Sequence, residues 1–410
     1  MDQLLQEMDS GKSKYWPYID KILISFFLIT YLFIVATFFL GKMFDSFYKP
    51  FWTDEIVGLG TARAYSYIHM LFKGASGQAS PAPLDFFVCK ILDQIKEKIS
   101  YFGFTPEVYF RLFANGITAL SVLVIMFVFK NEIENNKSNI ALKATQLFLL
   151  LCLPIAYLFQ RQVYYYAAET RPYALWNSLF MIALAVSLLE GKNKKFFFFS
   201  LVLLAFSATA VIFQIIAVAV AYFIAQLINE DNFKNIFKNE IKLLAVPFFI
   251  VLYYCLQVES SNVVSVGGTF GDFIELWKHK AVTIPIMFSA IAVCYLKKEN
   301  RKYALAALTF LILFLMGPLI FLFTRLKGYF YAERQFIYYE LTTAVFILTL
   351  IKCIPAYIKN VKSRFRVNII LIIFCLIGAS FTFRPKLIKK FNRTEANALK
   401  VLFTDFTNSK

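Results

Sequence analysis

Charge is scarce in this chain. Asp, Glu, Lys and Arg make up 17% of its 410 residues, against about 25% in a soluble domain, which excludes an ordinary water-soluble globule. Histidine is scarcer still. His69 and His279 are the only two, so a His-rich zinc site is excluded and a metal would need oxygen ligands. The six cysteines (89, 152, 255, 294, 353 and 375) contain no C-x-x-C spacing, and five fall in or at the ends of apolar runs. They read as small packing residues. No ATP or nucleotide-sugar motif appears in the lysine-rich loops, and Gly267-Gly268-Thr269-Phe270-Gly271-Asp272 lacks the preceding strand and following GK[ST] of a phosphate loop. That stretch reads as a flexible loop. No repeat, low-complexity run or separate soluble domain is visible.

Apolar length is what the chain has in quantity. It is 59% hydrophobic, with 48 Phe and 23 Tyr, arranged in repeated runs of roughly 17–25 residues that each suit a membrane helix. The pattern predicts an all-α polytopic membrane protein of about eleven transmembrane helices, over 19–41, 109–129, 143–160, 172–189, 196–209, 211–228, 241–257, 281–296, 303–323, 337–354 and 367–383. The stretch 196–228 is too long for one helix, and Ser207-Ala208-Thr209-Ala210 is the expected turn within it. Asp2, Glu7 and Asp9 precede the first run, and no small-residue cleavage site follows it. This predicts a retained helix rather than a signal peptide.

The net charge is +17 with a pI near 9.4. The basic residues sit mostly at run ends, which points to anionic lipid headgroups and to topology rather than to nucleic acid. Short lysine-rich connections (Lys130 to Lys143, Lys192 to Lys195, Lys234 to Lys242, Lys297 to Lys302, Lys352 to Arg366) are expected on the cytoplasmic side. Segments 42–108, 161–171, 258–280 and 324–336 then face outward, together with the tail 384–410. The tail carries Arg384, Lys386, Lys389, Lys390 and Arg393 and runs against the charge rule.

The 42–108 segment is expected to hold two amphipathic interfacial helices. One runs from Asp54 to about Phe72, capped by Thr53 and broken by Gly74-Ala75-Ser76-Gly77. The other opens at Pro83 and continues through Phe86, Phe87, Ile91, Leu92 and Ile95. Thr105-Pro106-Glu107 reads as a cap with Pro at the first helical position of the second span.

Within that segment Phe51-Trp52-Thr53-Asp54-Glu55 places adjacent carboxylates at the mouth of a membrane helix. Such acids gain about 0.3–1 kcal/mol from the helix dipole, while ionisable groups at membrane depth are also functional candidates. The second outer loop holds Tyr164 to Tyr166, Glu169, Arg171 and Tyr173; an arginine there can grip a phosphate with its fork or pair with Glu169. The loop 324–336 adds Arg325, Lys327, Glu333 and Arg334 among Tyr329, Phe330 and Tyr331. Acid in one outer loop, cations in others and aromatics at the interface suit a lipid-phosphate donor. A carboxylate would deprotonate an acceptor hydroxyl, and cations would stabilise the departing phosphate.

Five stretches in this order resemble the GT-C superfamily of integral-membrane glycosyltransferases, in particular the bacterial branch related to protein O-mannosyltransferases and lipid A aminoarabinose transferases. Trp52-Thr53-Asp54-Glu55 is similar to that branch's W-x-D-E. Ser80-Pro81-Ala82-Pro83-Leu84-Asp85-Phe86-Phe87 resembles its proline-leucine-aromatic motif. Arg111-Leu112-Phe113 resembles the arginine opening the second span, and Glu169-Thr170-Arg171-Pro172-Tyr173-Ala174-Leu175 its R-P-Y-x-L. Arg334-Gln335-Phe336 is a looser match to a late R-Y. Ser80 and Ala82 depart from the His and Pro frequent there, and Ser207-Ala208-Thr209-Ala210 from a T-H-Y-like segment.

The resemblance, over about residues 15–355, implies a glycosyltransferase domain at 1–383. It implies inverting transfer from a polyprenyl-phosphate sugar to a glycolipid, glycan or protein hydroxyl at the periplasmic face of the inner (plasma) membrane. Asp54 would be the general base, and Glu55, Arg111, Glu169, Arg171, Tyr173, Lys327 and Arg334 the substrate-binding set. Some relatives use a divalent cation (Mg or Mn), for which Asp54, Glu55 and Glu169 are the candidate ligands. Two other readings differ in what they require. A transporter or flippase needs charged or broken helices at the midplane, and an O-antigen polymerase or ligase centres on a large later outer loop.

Overall fold

The computed structural model describes residues 16–51, 53–75, 80–99, 104–135, 140–189, 194–228, 233–258, 269–281, 283–326 and 333–357. Among them every regular element is a helix, with no strand. In chain order these are α1 (Trp16–Tyr48), α2 (Thr53–Ala64), α3 (Tyr67–Lys73), α4 (Leu84–Ile99), α5 (Pro106–Asn135), α6 (Ile140–Leu158), α7 (Arg161–Tyr166), α8 (Pro172–Ser187), α9 (Lys194–Ala205), α10 (Ile212–Ile228), α11 (Phe233–Leu256), α12 (Phe270–Lys280), α13 (Thr283–Tyr295), α14 (Ala304–Leu315), α15 (Gly317–Leu326) and α16 (Thr342–Tyr357). Short 3₁₀ turns precede α10, α14 and α16.

Each expected span up to residue 354 falls on one or more of these helices; the stretch 367–383 and the tail 384–410 lie outside the described residues. Among the described residues four helices, fewer than the eleven expected spans, are long and apolar enough to cross a bilayer: Pro17–Tyr48, Pro106–Asn135, Thr209–Ile228 and Phe336–Ala356. Leu142–Leu158, Pro172–Ser187, Leu244–Leu256 and Thr283–Tyr295 are apolar but shorter. This is the architecture of a multi-pass membrane protein. Helix α5 packs against α1, α6 and α8, and α10 and α13 pack on α14. One contiguous apolar core runs through them, from Phe27 and Tyr31 to Leu348 and Ile351.

Three local expectations are corrected. The single helix from Asp54 to Phe72 is two, because Ser66 is extended and its hydroxyl accepts from the His69 amide at 3.1 Å, capping a new helix. The single span 303–323 breaks at Met316. Pro318 follows and has no amide to continue the ladder, and a side chain on Gly317 would come within 2.7 Å of the Trp277 indole. The expected flexible loop at Thr269 is the start of α12. Thr269 and Asp272 bond each other's backbone amides as a capping box, a T-x-x-D signal present in the sequence; Gly267 and Gly268 lie outside the described residues.

Other expectations hold. The turn within 196–228 is present, with α9 ending at Ala205 and the next helical turn starting at Thr209. Gly74 ends α3 at φ +65°, and Thr105 caps α5 through the Val108 amide. The 42–108 segment has its own small core, in which Leu59, Ala62, Met70, Phe86 and Cys89 meet Tyr109 and Phe110 of α5. That core seats α2 and α4 on the membrane bundle and so places Asp54 and Glu55.

Candidate functional site

Three segments meet where the 42–108 segment joins the bundle: the link Lys49–Phe51 with the start of α2, the first turns of α5, and the coil Ala167–Arg171 before α8. Pro172 at the first helical position of α8 holds Arg171 extended at φ −146°, ψ 155°. The side chain of Arg171 can therefore leave the helix axis and reach α2.

Glu55 and Arg111 form the centre, both with no exposed side-chain surface. The guanidinium Nε donates to Glu55 Oε1 at 2.9 Å and Nη2 to Oε2 at 2.6 Å. The other Arg111 donors reach the carbonyls of Lys49 and Pro50, and the Thr170 amide donates to Glu55 Oε1 at 2.7 Å. One buried ion pair thus ties all three segments together. The Phe51 ring lies 5.2 Å from the guanidinium.

Around this pair lie two more. Lys49 Nζ contacts Glu169 Oε1 at 2.9 Å, and Glu169 has no exposed side-chain surface. Burial pushes the Glu169 carboxyl above its usual range, partly offset by Lys49. Arg171 Nη2 lies 3.4 Å from Asp54 Oδ2, and Asp54, with 40% of its side chain exposed, is the open member of the cluster. Arg171 also donates to the Asp54 carbonyl and to the Tyr173 hydroxyl, each at 3.3 Å.

The structure thus brings together Asp54, Glu55, Arg111, Glu169, Arg171 and Tyr173 from the sequence-predicted set. Arg334 falls on the 3₁₀ turn Glu333–Leu341, which packs against α7 and α8 on either side of the Glu169–Arg171 coil. Lys327 and Trp52 lie outside the described residues. Two members were missed. Lys49 carried no signal beyond being a cation at the end of α1. Asp85 stood in the quoted Pro83-Leu84-Asp85 stretch but was given no role of its own.

The proposed metal set does not fit a divalent cation in this arrangement. Glu55 is engaged by Arg111 and the Thr170 amide and Glu169 by Lys49. Among the described residues no group of three or more His, Cys, Asp or Glu is placed to hold a metal ion.

Asp85 differs from the other acids. Three cations, Lys49, Arg111 and Arg171, face three carboxylates, Glu169, Glu55 and Asp54, so Asp85 is a fourth carboxyl with no ion pair of its own among the described residues. It is buried at 7% exposure, and burial lifts its carboxyl from 3.8 to about 6, with Arg171 opposing the shift. A raised carboxyl holds its proton more tightly folded than unfolded. Its contribution to stability therefore falls as pH rises from 3.8 to about 6 and stays low above. Asp85→Asn removes that slope. Thermal unfolding of both proteins in detergent from pH 4 to 8 is expected to show the variant gaining on wild type through this window, by at most on the order of 3 kcal/mol. A difference independent of pH would refute the assignment.

Comparison of the chain with family models, with curated proteins and with solved structures returned no match. The functional reading therefore rests on the residues and their geometry.

Proposed function

We propose that this chain is an inverting glycosyltransferase of GT-C type, which transfers a sugar from a polyprenyl-phosphate donor to an acceptor hydroxyl at the outer face of the plasma membrane. The observation that carries the reading is the Asp54–Arg171 contact at 3.4 Å, the open edge of an otherwise buried charge cluster. Asp54 takes the proton of the acceptor hydroxyl. The oxygen attacks the anomeric carbon from the face opposite the phosphate, the bond from that carbon to the phosphate oxygen breaks, and polyprenyl phosphate departs. Arg171 neutralises the charge that develops on it. In the resting protein Arg171 is partly engaged by Asp54; a donor phosphate competes for the guanidinium and leaves the carboxylate free to act as base.

Supporting features surround this edge. Tyr173 stacks its ring 5.5 Å from the Arg171 guanidinium. Helices α3 and α4 leave Ile68, Phe72 and Ile91 exposed, as interfacial helices that receive a lipid-linked substrate would. The lysine-rich connections support an outer position for this edge, where no nucleotide donor is expected.

The test is transfer in proteoliposomes with a radiolabelled polyprenyl-phosphate sugar, scoring labelled acceptor and released polyprenyl phosphate together. Wild type is expected to form both. Arg171→Gln is expected to raise the donor KM and to lower kcat by about 10²–10³-fold. Full turnover in that variant, or no product from wild type with any lipid-phosphate sugar, would reject the reading.

A further inference from the structure

Behind Arg171 lies a hollow that Asp54 does not line. Its wall is Asp85, Thr170 and Arg171 on the polar side and residues such as Val88, Phe110 and Phe113 on the apolar side. Two polar groups on this wall, the Thr170 hydroxyl and the Arg171 Nε–H, are buried and uncommitted. Thr170 is 7% exposed and its hydroxyl has no partner among the described residues. The Arg171 Nε–H is likewise buried and unpartnered. The Asp85 carboxyl, 7% exposed, lines the wall beside them. Buried polar groups are almost always paired, and exceptions call for an explanation.

The backbone at this wall is fixed rather than adaptable. The Thr170 amide is held by Glu55, and Arg171 is held by Asp54 and Tyr173. The groups therefore stay uncommitted because the fold holds them there, in the manner of a preorganised site. Their chemistry is specific: a hydroxyl that donates or accepts and an N–H that only donates, beside a carboxyl. Burial raises that carboxyl to about 6, which leaves it mainly an acceptor at neutral pH. A ligand group that both donates and accepts satisfies all three. The free space beside them is about that of one water molecule, which admits one hydroxyl and excludes a sugar ring.

Resting on the glycosyltransferase reading above, we propose that Asp85, Thr170 and the Arg171 Nε form a specificity subsite for a single hydroxyl of the donor sugar. Arg171 connects the two halves of the donor: its outer nitrogens face the phosphate, and its Nε faces a hydroxyl of the sugar that the phosphate carries. A site built around one hydroxyl rejects the analogue that lacks it, because its own buried groups are then left unpaired.

The probes are a short-chain prenyl-phosphate glucose and its 2-, 3-, 4- and 6-deoxy analogues, with equilibrium binding to the full chain in nanodiscs measured separately from transfer. One deoxy analogue is expected to bind at least about tenfold more weakly than the parent. Asp85→Asn and Thr170→Val are expected to weaken the parent to that level and to leave that analogue unchanged. Equal binding of every analogue, no binding of any, or discrimination retained in both variants would overturn the subsite. Transfer without such discrimination rejects the subsite and keeps the enzyme reading, whereas discrimination in binding without transfer does the reverse. Thr170→Ser, which restores the hydroxyl, is expected to recover discrimination and guards against a folding defect in the valine variant.

Discussion

Asp54→Asn is expected to lower the transfer rate by about 10²–10⁴-fold, the usual contribution of a positioned general base, while leaving the protein folded and able to bind its donor. Asp54 is the member of the cluster with the most exposed side chain, at 40%, so its carboxylate contributes little to stability. Asparagine keeps the shape and loses the proton acceptor. It also releases Arg171 from its ion pair, so the donor KM is expected to hold or to fall while kcat drops. That split separates a base from a binding residue, since removing a binding contact raises KM instead. Steady-state transfer in proteoliposomes over a range of donor concentrations measures both. Turnover within a factor of about three of wild type would be far below the loss expected of a base and would remove Asp54 from that role.

Arg111→Ala is expected to destabilise the protein by about 3–5 kcal/mol, because it leaves the Glu55 carboxylate buried without its cation. Glu55→Ala is expected to do the same from the other side. Loss of Arg111 detaches the Lys49–Phe51 link from the start of α2, and loss of Glu55 also frees the Thr170 amide. The double variant Glu55→Leu, Arg111→Met is expected to lose less than either single one, as apolar replacements of whole buried pairs often do. Its recovery is incomplete because the Pro50 carbonyl, bonded by Arg111 at 2.9 Å, is left without a donor. Thermal unfolding of the variants in detergent tests this. A double variant that unfolds earlier than both single ones would show that the pair is not what joins the segments.

The two acids therefore divide their roles by environment. Glu55 has both oxygens engaged and no exposed surface, and it serves as a structural tie. Asp54, one residue earlier on the same helix, faces the open edge. Both sit in the first turn of α2, and adjacent helical residues point about 100° apart, so one turns inward when the other turns out.

Much of the fold was legible in the sequence. Long apolar runs bounded by charged or polar segments define helices, because backbone groups in lipid must bond within their own segment. Thr105-Pro106 and Gly74 carried their cap and stop signals in their own chemistry. Where the pattern misled, a local bond had won. Ser66 capped a helix inside an apolar periodicity, and Thr269 with Asp272 built a helix from a glycine-rich stretch. The candidate site was legible as a set of residues, because charge is conspicuous in a chain this apolar. Asp54, Glu55, Glu169 and Arg171 stood out for that reason, whereas Arg111 entered only through the family resemblance.

Pairing was not legible. The chain by itself determined that it is helical, that it suits a membrane, and which charged residues sit at helix mouths, since these follow from composition and spacing along one strand of sequence. Only the tertiary structure decided that Arg111 belongs to Glu55, that Lys49 belongs to Glu169, and that Asp85 has no ion pair of its own among the described residues. Those partners lie 56 and 120 positions apart in the chain, and a charge in a largely apolar sequence announces that it needs a partner without saying which one it will meet.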